Sequence, residues 1–387
     1  MNILFLTAYV PVMHMHGGGV RMYHNIRILS EQHSVQVISF VEDDKDRERL
    51  KTVEAICESI TAVQRIPDFR PHWLSVKPFL VREFSTPAMY AAVDHACRNK
   101  KVDVIQCEYL QMAQYRRRET FSILTIHEVL SSNAYQAFQK AREPIERFRL
   151  FYRWMSILNY EISLCNRFDR VVTMTKEDAD YLRSYAHRAD VRHIPIGIDP
   201  AYFRPSLEEI ERPVEVLFVG NFRHSPNVEA ADFLLSEIAP HFPDVQFVIA
   251  GSYVPDTLPH TPNAVFPGYI ADTRDLFHVP NTIFVAPIFS GTGQRVKLLE
   301  AFAMASPVIT TPVGALGFSI RNGEQAMLAN TASEFRAALR RLFCSYELRV
   351  RIGNEARRMI VDRFDWATIA GEFLALIEQP LGKRHFE

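Results

Sequence analysis

The chain has 387 residues, more than one hydrophobic core usually supports, so we expect two domains. Its 44 lysines and arginines nearly balance 45 aspartates and glutamates, and the net charge of -1 argues against a nucleic-acid binder that relies on a broad basic surface. The five cysteines are odd in number and lack metal-binding spacing, which predicts reduced thiols in a cytoplasmic protein. No apolar run is long enough to span a bilayer, so any membrane contact is expected to be peripheral, at the inner face.

The first half of the chain alternates short apolar runs with helical patterns, which predicts a parallel sheet covered by helices. The apolar run at the start has no basic segment before it and soon meets Pro11, so it predicts a strand and not a signal peptide. The predicted strands are residues 2–8, 35–40, 102–107, 122–126 and 170–174.

A run of three glycines, Gly17 to Gly19, ends the long loop after the first predicted strand. We predict a helix that begins near Val20, and the N–H groups of a helix N-terminus can hold a phosphate or a hydroxyl. Gly18 and Gly19 are therefore candidate ligand-binding residues. The alternative is that the glycines only permit a sharp turn.

One histidine, His127, directly follows the predicted strand 122–126. Ligands of parallel α/β sheets lie outside the carboxyl ends of the strands, where a neutral imidazole could hydrogen-bond a ligand hydroxyl. The next residue, Glu128, could orient the ring or cap the next segment. The alternative is a polar residue that merely ends a strand.

A helical pattern at 144–167 mixes arginines with aromatic residues. It could form a basic, aromatic face that rests on anionic lipid or holds a lipid-linked acceptor. Glu146 and Glu161 dilute the charge and favour an ordinary amphipathic helix with one core face and one solvated face.

Further on, Asp178 and Asp180 have the spacing of a metal–nucleotide motif, but we interpret them as the acidic start of a helix and predict no metal site.

The strand pattern restarts after a proline-rich stretch at 193–205, which predicts a linker between two domains. The second set of predicted strands is 216–219, 245–250, 264–266, 283–286 and 307–310. We therefore expect a first domain at 1–192, a second at 193–367, and a terminal helix at about 368–387 that packs back on the first domain. Both domains are predicted to be doubly wound and Rossmann-like.

A glycine-bearing loop, a helix and a buried strand follow one another between Phe289 and Thr311. The glycines allow close approach of a ligand, the helix N-terminus offers free N–H groups, and Arg295 and Lys297 add positive charge, so an anionic ligand is expected. Glu300 stands where a carboxylate could accept hydrogen bonds from two ribose hydroxyls, which makes the ligand a nucleotide.

This passage resembles the donor-binding motif of the family 4 retaining glycosyltransferases, in which two glutamates flank seven residues. Glu300 matches the second glutamate and Thr292 replaces the first, which resembles a subgroup with a Gly-Thr-Arg-x-Lys-x-x-Glu motif, here with extra residues in the loop. The linker and the terminal Phe364-Asp-Trp segment are also similar to those of the family. The resemblance implies the GT-B fold, two Rossmann-like α/β domains facing each other across a cleft.

The resemblance further implies a glycosyltransferase that moves a sugar from a UDP- or GDP-sugar to an acceptor hydroxyl, with retention. The acceptor would be a saccharide or a lipid-linked saccharide in glycoconjugate synthesis, without a metal or other cofactor and without nucleic acid. His127 is the expected catalytic residue, placed against the donor sugar. The expected donor-binding residues are Gly18, Gly19, Arg223, Tyr269, Thr292, Gly293, Gln294, Arg295, Lys297, Leu298 and Glu300.

Three other functions stay open on the sequence. A nucleotide-sugar epimerase could share the two-domain fold. An NAD-dependent dehydrogenase would use Gly17 to Gly19 as its dinucleotide loop, although Met22 stands where the third glycine of that motif belongs. A protein that only binds nucleotides is the third alternative.

Overall fold

The computed structural model describes residues 1–13, 17–66, 78–205 and 213–378. The chain divides into two compact units, unit 1 with Met1–Pro195 and Ile369–Glu387, and unit 2 with Ile196–Thr368. Residues 14–16 of the predicted glycine loop and residues 379–387 of the predicted terminal helix lie outside the described residues.

Unit 1 is built on a seven-stranded parallel sheet. Its strands are β1 (Asn2–Thr7), β2 (Ser34–Val41), β3 (Ser59–Gln64), β4 (Val104–Glu108), β5 (Phe121–Ile126), β6 (Arg170–Thr173) and β7 (Val191–His193). Its helices are α1 (Gly17–Ser30), α2 (Asp44–Glu54), α3 (Phe79–Arg82), α4 (Pro87–Asn99), α5 (Leu130–Lys140), α6 (Pro144–Cys165) and α7 (Lys176–Tyr185), with a 3₁₀ helix at Leu110–Tyr115.

The strands of unit 1 lie in the order β3-β2-β1-β4-β5-β6-β7, so the chain reverses its direction of winding between β1 and β4. Inner strands such as β4 and β5 are buried along their whole length, as expected for a parallel sheet with helices on both faces. Ligand sites of such sheets lie at this reversal, outside the carboxyl ends of the strands. Gly17 to Gly19 follow β1, and Glu108 ends β4.

Several helix starts in unit 1 are fixed by side-chain caps. The Thr175 hydroxyl accepts a hydrogen bond from the Asp178 backbone N–H and begins α7, with Glu177 and Asp178 in the first turn. The interpretation of Asp178 and Asp180 as a helix start is thus confirmed. By contrast, α1 begins at Gly17 and not near Val20. The three glycines form its first turn, so the predicted glycine loop before the helix was wrong.

Unit 2 carries a six-stranded parallel sheet. Its strands are β8 (Glu215–Val219), β9 (Gln246–Ala250), β10 (Ala264–Gly268), β11 (Thr282–Ala286), β12 (Val308–Thr310) and β13 (Met327–Leu328). Its helices are α8 (Ser225–Phe233), α9 (Val296–Ala303), α10 (Ala332–Cys344) and α11 (Tyr346–Arg363). The strand order β10-β9-β8-β11-β12-β13 reverses between β8 and β11, which places the loops after these two strands side by side.

The last described helix, α12 (Trp366–Glu378), runs from unit 2 into unit 1. Its Phe373 is fully buried, and Glu378 at its end forms an ion pair with His33 of unit 1 at 3.5 Å.

All five cysteines are free thiols. Among the described residues, no helix combines the length and apolar character needed to cross a bilayer.

Candidate active site

His127 is held by a buried carboxylate at the carboxyl ends of β4 and β5. Its Nε2 lies 2.6 Å from Oε2 of Glu108, which is fully buried, and the second Glu108 oxygen accepts from Gln106 Nε2 at 2.9 Å. Burial raises the pKa of Glu108, but the hydrogen bond and charge of His127 and the charge of Arg21 outweigh it and hold the pKa below its ordinary value. An ionised Glu108 accepts Nε2–H, so a neutral imidazole keeps its lone pair on Nδ1.

The histidine ring is also stacked on Tyr109, with ring centroids 3.9 Å apart and an interplanar angle of 11°. Tyr109 has a φ of 74°, a left-handed conformation that is strained for a residue with a bulky side chain. Its backbone N–H donates to Thr125 O at 2.9 Å, which anchors this turn to β5. The stacking and the hydrogen bond to Glu108 fix the plane of the imidazole.

The first turn of α1 approaches this histidine because Gly18 has no side chain. A Cβ at Gly18 would lie 1.8 Å from Tyr109 Oη and 3.2 Å from His127 Nδ1. The glycine is therefore required for close approach, and not for a sharp turn. His127 Nδ1 is buried and has no hydrogen-bond partner in the part of the chain that the structure describes, so a ligand hydroxyl is its natural partner.

The predicted orienting role of Glu128 is wrong. Glu128 is exposed, and its carboxylate accepts from Asn133 Nδ2 at 3.1 Å, while Glu108 orients the ring. Sequence reasoning missed Glu108 because it lies on another strand, 19 residues before His127. Its position directly after the predicted strand 102–107 was a usable signal, since a carboxylate at a strand's carboxyl end faces the ligand side of the sheet.

In unit 2, the loop between β11 and α9 forms a tight cradle. Gly291 and Gly293 have φ values of 102° and 76°, which a side chain would disfavour. The guanidinium of Arg295 folds back onto this loop, where it donates to the carbonyls of Thr292, Gly293 (3.0 Å) and Ser290 (3.3 Å). Arg295 thus braces the loop, an arrangement that the prediction of a phosphate-binding arginine did not include.

Lys297 lies in the first turn of α9 and points toward the start of α8. Its Nζ donates to Asn227 Oδ1 at 2.6 Å and sits 4.5 Å from the ring centroid of Phe218. Burial is the main cause that lowers the pKa of Lys297 to about 7, and repulsion from Arg295 lowers it further. The negative charge of Glu300 acts in the opposite direction and raises this pKa. Within the described ranges, Lys297 has no carboxylate in hydrogen-bonding contact, and it sits at a helix N-terminus, a position that favours an anionic ligand.

Glu300 follows one turn later on α9, and its Oε2 accepts a hydrogen bond from Thr273 Oγ1 at 3.1 Å. Burial raises the pKa of Glu300 to about 7, while the Thr273 hydrogen bond and Lys297 lower it and Asp272 raises it. Thr273 belongs to the segment after β10 that also contains Tyr269, whose side chain is 66% exposed. The carboxylate and this segment are thus brought together, as a nucleoside pocket requires.

The other predicted donor-binding residues occupy different surroundings. Arg223 follows β8 and lies over the ring of Tyr253, with Cζ 3.7 Å from the centroid. Gln294 is buried and accepts a hydrogen bond from the Ile196 backbone N–H at 2.6 Å, so it links the loop between β11 and α9 to the linker. Leu298 is fully buried, and its N–H donates to the carbonyl of residue 295, so it contributes packing and not a free ligand contact.

Comparison with known proteins finds two family models that together cover most of the chain. A model described as Glycosyltransferase Family 4 matches residues 15–202, and one described as Glycosyl transferases group 1 matches residues 213–345. A curated relative, the MMP alpha-(1->4)-mannosyltransferase of Mycolicibacterium hassiacum, is 24% identical, and the alignment covers 98% of each chain.

Two solved structures illustrate the similarity of fold. The sucrose-phosphate synthase of Thermosynechococcus elongatus superimposes with a TM-score of 0.75 at 18% identity, over 98% of this chain and 99% of that one. HepE of Anabaena, solved in complex with UDP, gives a TM-score of 0.73 at 15% identity, over 98% of this chain and 100% of the other. At these identities the likeness shows the fold, two Rossmann-like domains of the GT-B type.

Proposed function

The chain belongs to the group 1 and family 4 glycosyltransferases, which move a sugar from a nucleotide-sugar donor to an acceptor hydroxyl, and we propose that its donor is a UDP-sugar. The observation that carries this proposal is the pair Lys297 and Glu300 on one helix, with a cation in the first turn and a carboxylate one turn later. The cation would pair with a diphosphate, and the carboxylate would accept hydrogen bonds from the ribose hydroxyls of the same nucleotide. That HepE is solved with UDP supports uridine as the base.

The cradle after β11 would hold the diphosphate. The N-terminal N–H groups of α9 and the ammonium of Lys297 would stabilise its negative charge as the sugar leaves, and we propose that no metal ion is needed. Glu300 would accept hydrogen bonds from the ribose hydroxyls, and the exposed segment around Tyr269 would receive the base through its backbone.

The transfer itself is proposed to proceed with retention, as the family resemblance implies. The acceptor oxygen forms a bond to the anomeric carbon on the face that the diphosphate leaves, and the bond from that carbon to the phosphate oxygen breaks. The departing phosphate oxygen takes the acceptor proton. His127 would accept a hydrogen bond from a sugar hydroxyl through Nδ1, and Glu108, which accepts Nε2–H, would fix the tautomer that leaves the Nδ1 lone pair available. The acceptor is proposed to be a saccharide or a lipid-linked saccharide.

The alternatives raised by the sequence find no support. The family models and the curated relative are glycosyltransferases and not epimerases. A dehydrogenase would need a tight glycine loop ahead of its first helix, whereas Gly17 to Gly19 lie within α1.

The donor assignment predicts selective stabilisation by UDP. UDP should raise the unfolding temperature more than GDP or ADP, because only a bound ligand stabilises the fold by mass action. Calorimetry should show that Glu300→Ala makes the free energy of UDP binding less favourable by about 1–3 kcal/mol, the scale for hydrogen bonds to a charged group. Glu324→Ala, at an exposed carboxylate, is the matched control and should leave affinity unchanged. A larger shift with GDP would reassign the base, and equal affinity in Glu300→Ala would remove Glu300 from the site.

A further inference from the structure

Helix α6 carries an exposed apolar stripe at its start. Ile145, Phe148, Tyr152 and Met155 recur at the spacing of one helix face, and their exposed fractions are 87%, 73%, 72% and 42%. The preferred interpretation of this pattern, a helix with one core face and one solvated face, holds only for its second half, where Ile157 and Leu164 are buried. Single exposed apolar residues are ordinary, but a continuous stripe of large side chains on one face is not.

Basic residues flank this stripe. Between residues 140 and 153 the chain has five basic and two acidic side chains, a local charge of +3 in a protein whose net charge is -1. Arg149 and Arg153 are one turn apart and both exposed. They lie beside the apolar stripe by helical spacing, so aromatic and cationic groups share one surface. We call residues 138–155 the helix tip.

The helix tip is held rigidly by its other side. Trp154 packs against Tyr135 of α5, with ring centroids 4.8 Å apart, and stacks on Phe138 at 6.0 Å. Further along α6, the buried carboxylate of Glu161 accepts from the backbone N–H groups of Leu130 at 3.0 Å and Ser131 at 3.3 Å, which caps the start of α5. The two helices therefore form one hairpin that presents the stripe outward without needing to refold.

We propose that the helix tip docks on an anionic phospholipid surface. Apolar and aromatic side chains enter the boundary between headgroups and acyl chains, and arginines pair with lipid phosphates, which is the chemistry of helices that lie in a membrane interface. The charge complementarity selects a lipid surface over a second copy of this chain, because two such tips would bring their arginines together. Docking on lipid does not depend on which nucleotide sugar the site takes.

Flotation of the full chain with phosphatidylcholine vesicles, with or without an equal amount of phosphatidylglycerol, tests this proposal. The wild type should bind the anionic vesicles and lose binding as salt rises. Phe148→Ser with Tyr152→Ser should lower the partition coefficient about tenfold or more. Arg149→Gln with Arg153→Gln should lower it about 25-fold on anionic vesicles, at roughly fivefold for each arginine, and remove the preference for them.

Matched controls lie on α11 and near it. Tyr346→Ser with Val361→Ser removes two apolar side chains that are 48% and 42% exposed, and should not change binding. Arg321→Gln with Arg358→Gln removes the same charge from exposed ion pairs and should also bind like the wild type. Absence of vesicle binding by the wild type, or an equal loss in the controls, would overturn the proposal. A change from dimer to monomer in the Phe148 and Tyr152 variant, with no lipid binding, would overturn it in favour of self-association.

Discussion

Replacement of His127 by alanine is expected to lower turnover about 10²-fold or more, while the affinity for the nucleoside diphosphate stays nearly unchanged. The imidazole is held at the carboxyl end of β5 by Glu108 and Tyr109, and its Nδ1 has no hydrogen-bond partner among the described residues. In the proposed reaction this nitrogen would contact a sugar hydroxyl at the reacting centre. Steady-state kinetics and calorimetry on the same folded variant separate the two effects.

The two neighbouring glutamates provide the control for this result. Glu108→Gln should reduce turnover in the same direction, because a neutral amide no longer fixes the tautomer of His127. Glu128→Gln changes an exposed carboxylate that contacts Asn133 and should retain full activity. If His127→Ala were fully active, or if Glu128 and not Glu108 mattered, the histidine would be only a strand-end residue.

Replacement of Lys297 by methionine is expected to lower the affinity for UDP about 10- to 100-fold and to leave the affinity for uridine nearly unaffected. Among the described residues, the Lys297 ammonium donates to the Asn227 amide oxygen and has no carboxylate within hydrogen-bonding distance, so we expect it to bind the diphosphate. Comparing UDP with uridine by calorimetry isolates the contribution of the phosphates, since both ligands carry the same base and ribose.

Arg295→Met serves as the comparison at the same loop. Because the Arg295 guanidinium already binds carbonyls of Ser290 and Gly293, its loss should lower the unfolding temperature and reduce the affinities for UDP and for uridine equally. A selective loss of UDP in Arg295→Met would mean that the guanidinium leaves the loop to bind phosphate. Equal weakening of UDP and uridine in Lys297→Met would make Lys297 a structural residue.

The fold could be predicted largely because buried parallel strands read as continuous apolar runs. Three strands were not predicted, β3, β7 and β13. β3 is an edge strand whose sequence alternates exposed and partly buried residues, and the other two have only three and two residues. Short or half-exposed strands owe their structure to the neighbour that pairs with them, which no local pattern reports.

The candidate site was predicted in part. Lys297, Glu300 and His127 could be chosen because each follows a recognisable strand or loop, and their roles remain predictions. The partners of these residues were hidden, since the contact of His127 with Glu108 depends on the pairing of β4 with β5. The return of Arg295 to its own loop depends on two glycines with positive φ. Glycines in a sequence suggest such a conformation but do not indicate in which direction the loop turns.

Sugar transfer is tested most directly by incubating the protein with an isotopically labelled UDP-sugar panel and saccharide or lipid-linked saccharide acceptors, and measuring released UDP and labelled glycoside together. We predict equal amounts of UDP and of glycoside for one donor, insensitivity to chelators, and loss of both products in the Lys297→Met and His127→Ala variants. An isomerised donor without UDP release, or no turnover of any nucleotide sugar, would contradict a glycosyltransferase that acts through these residues.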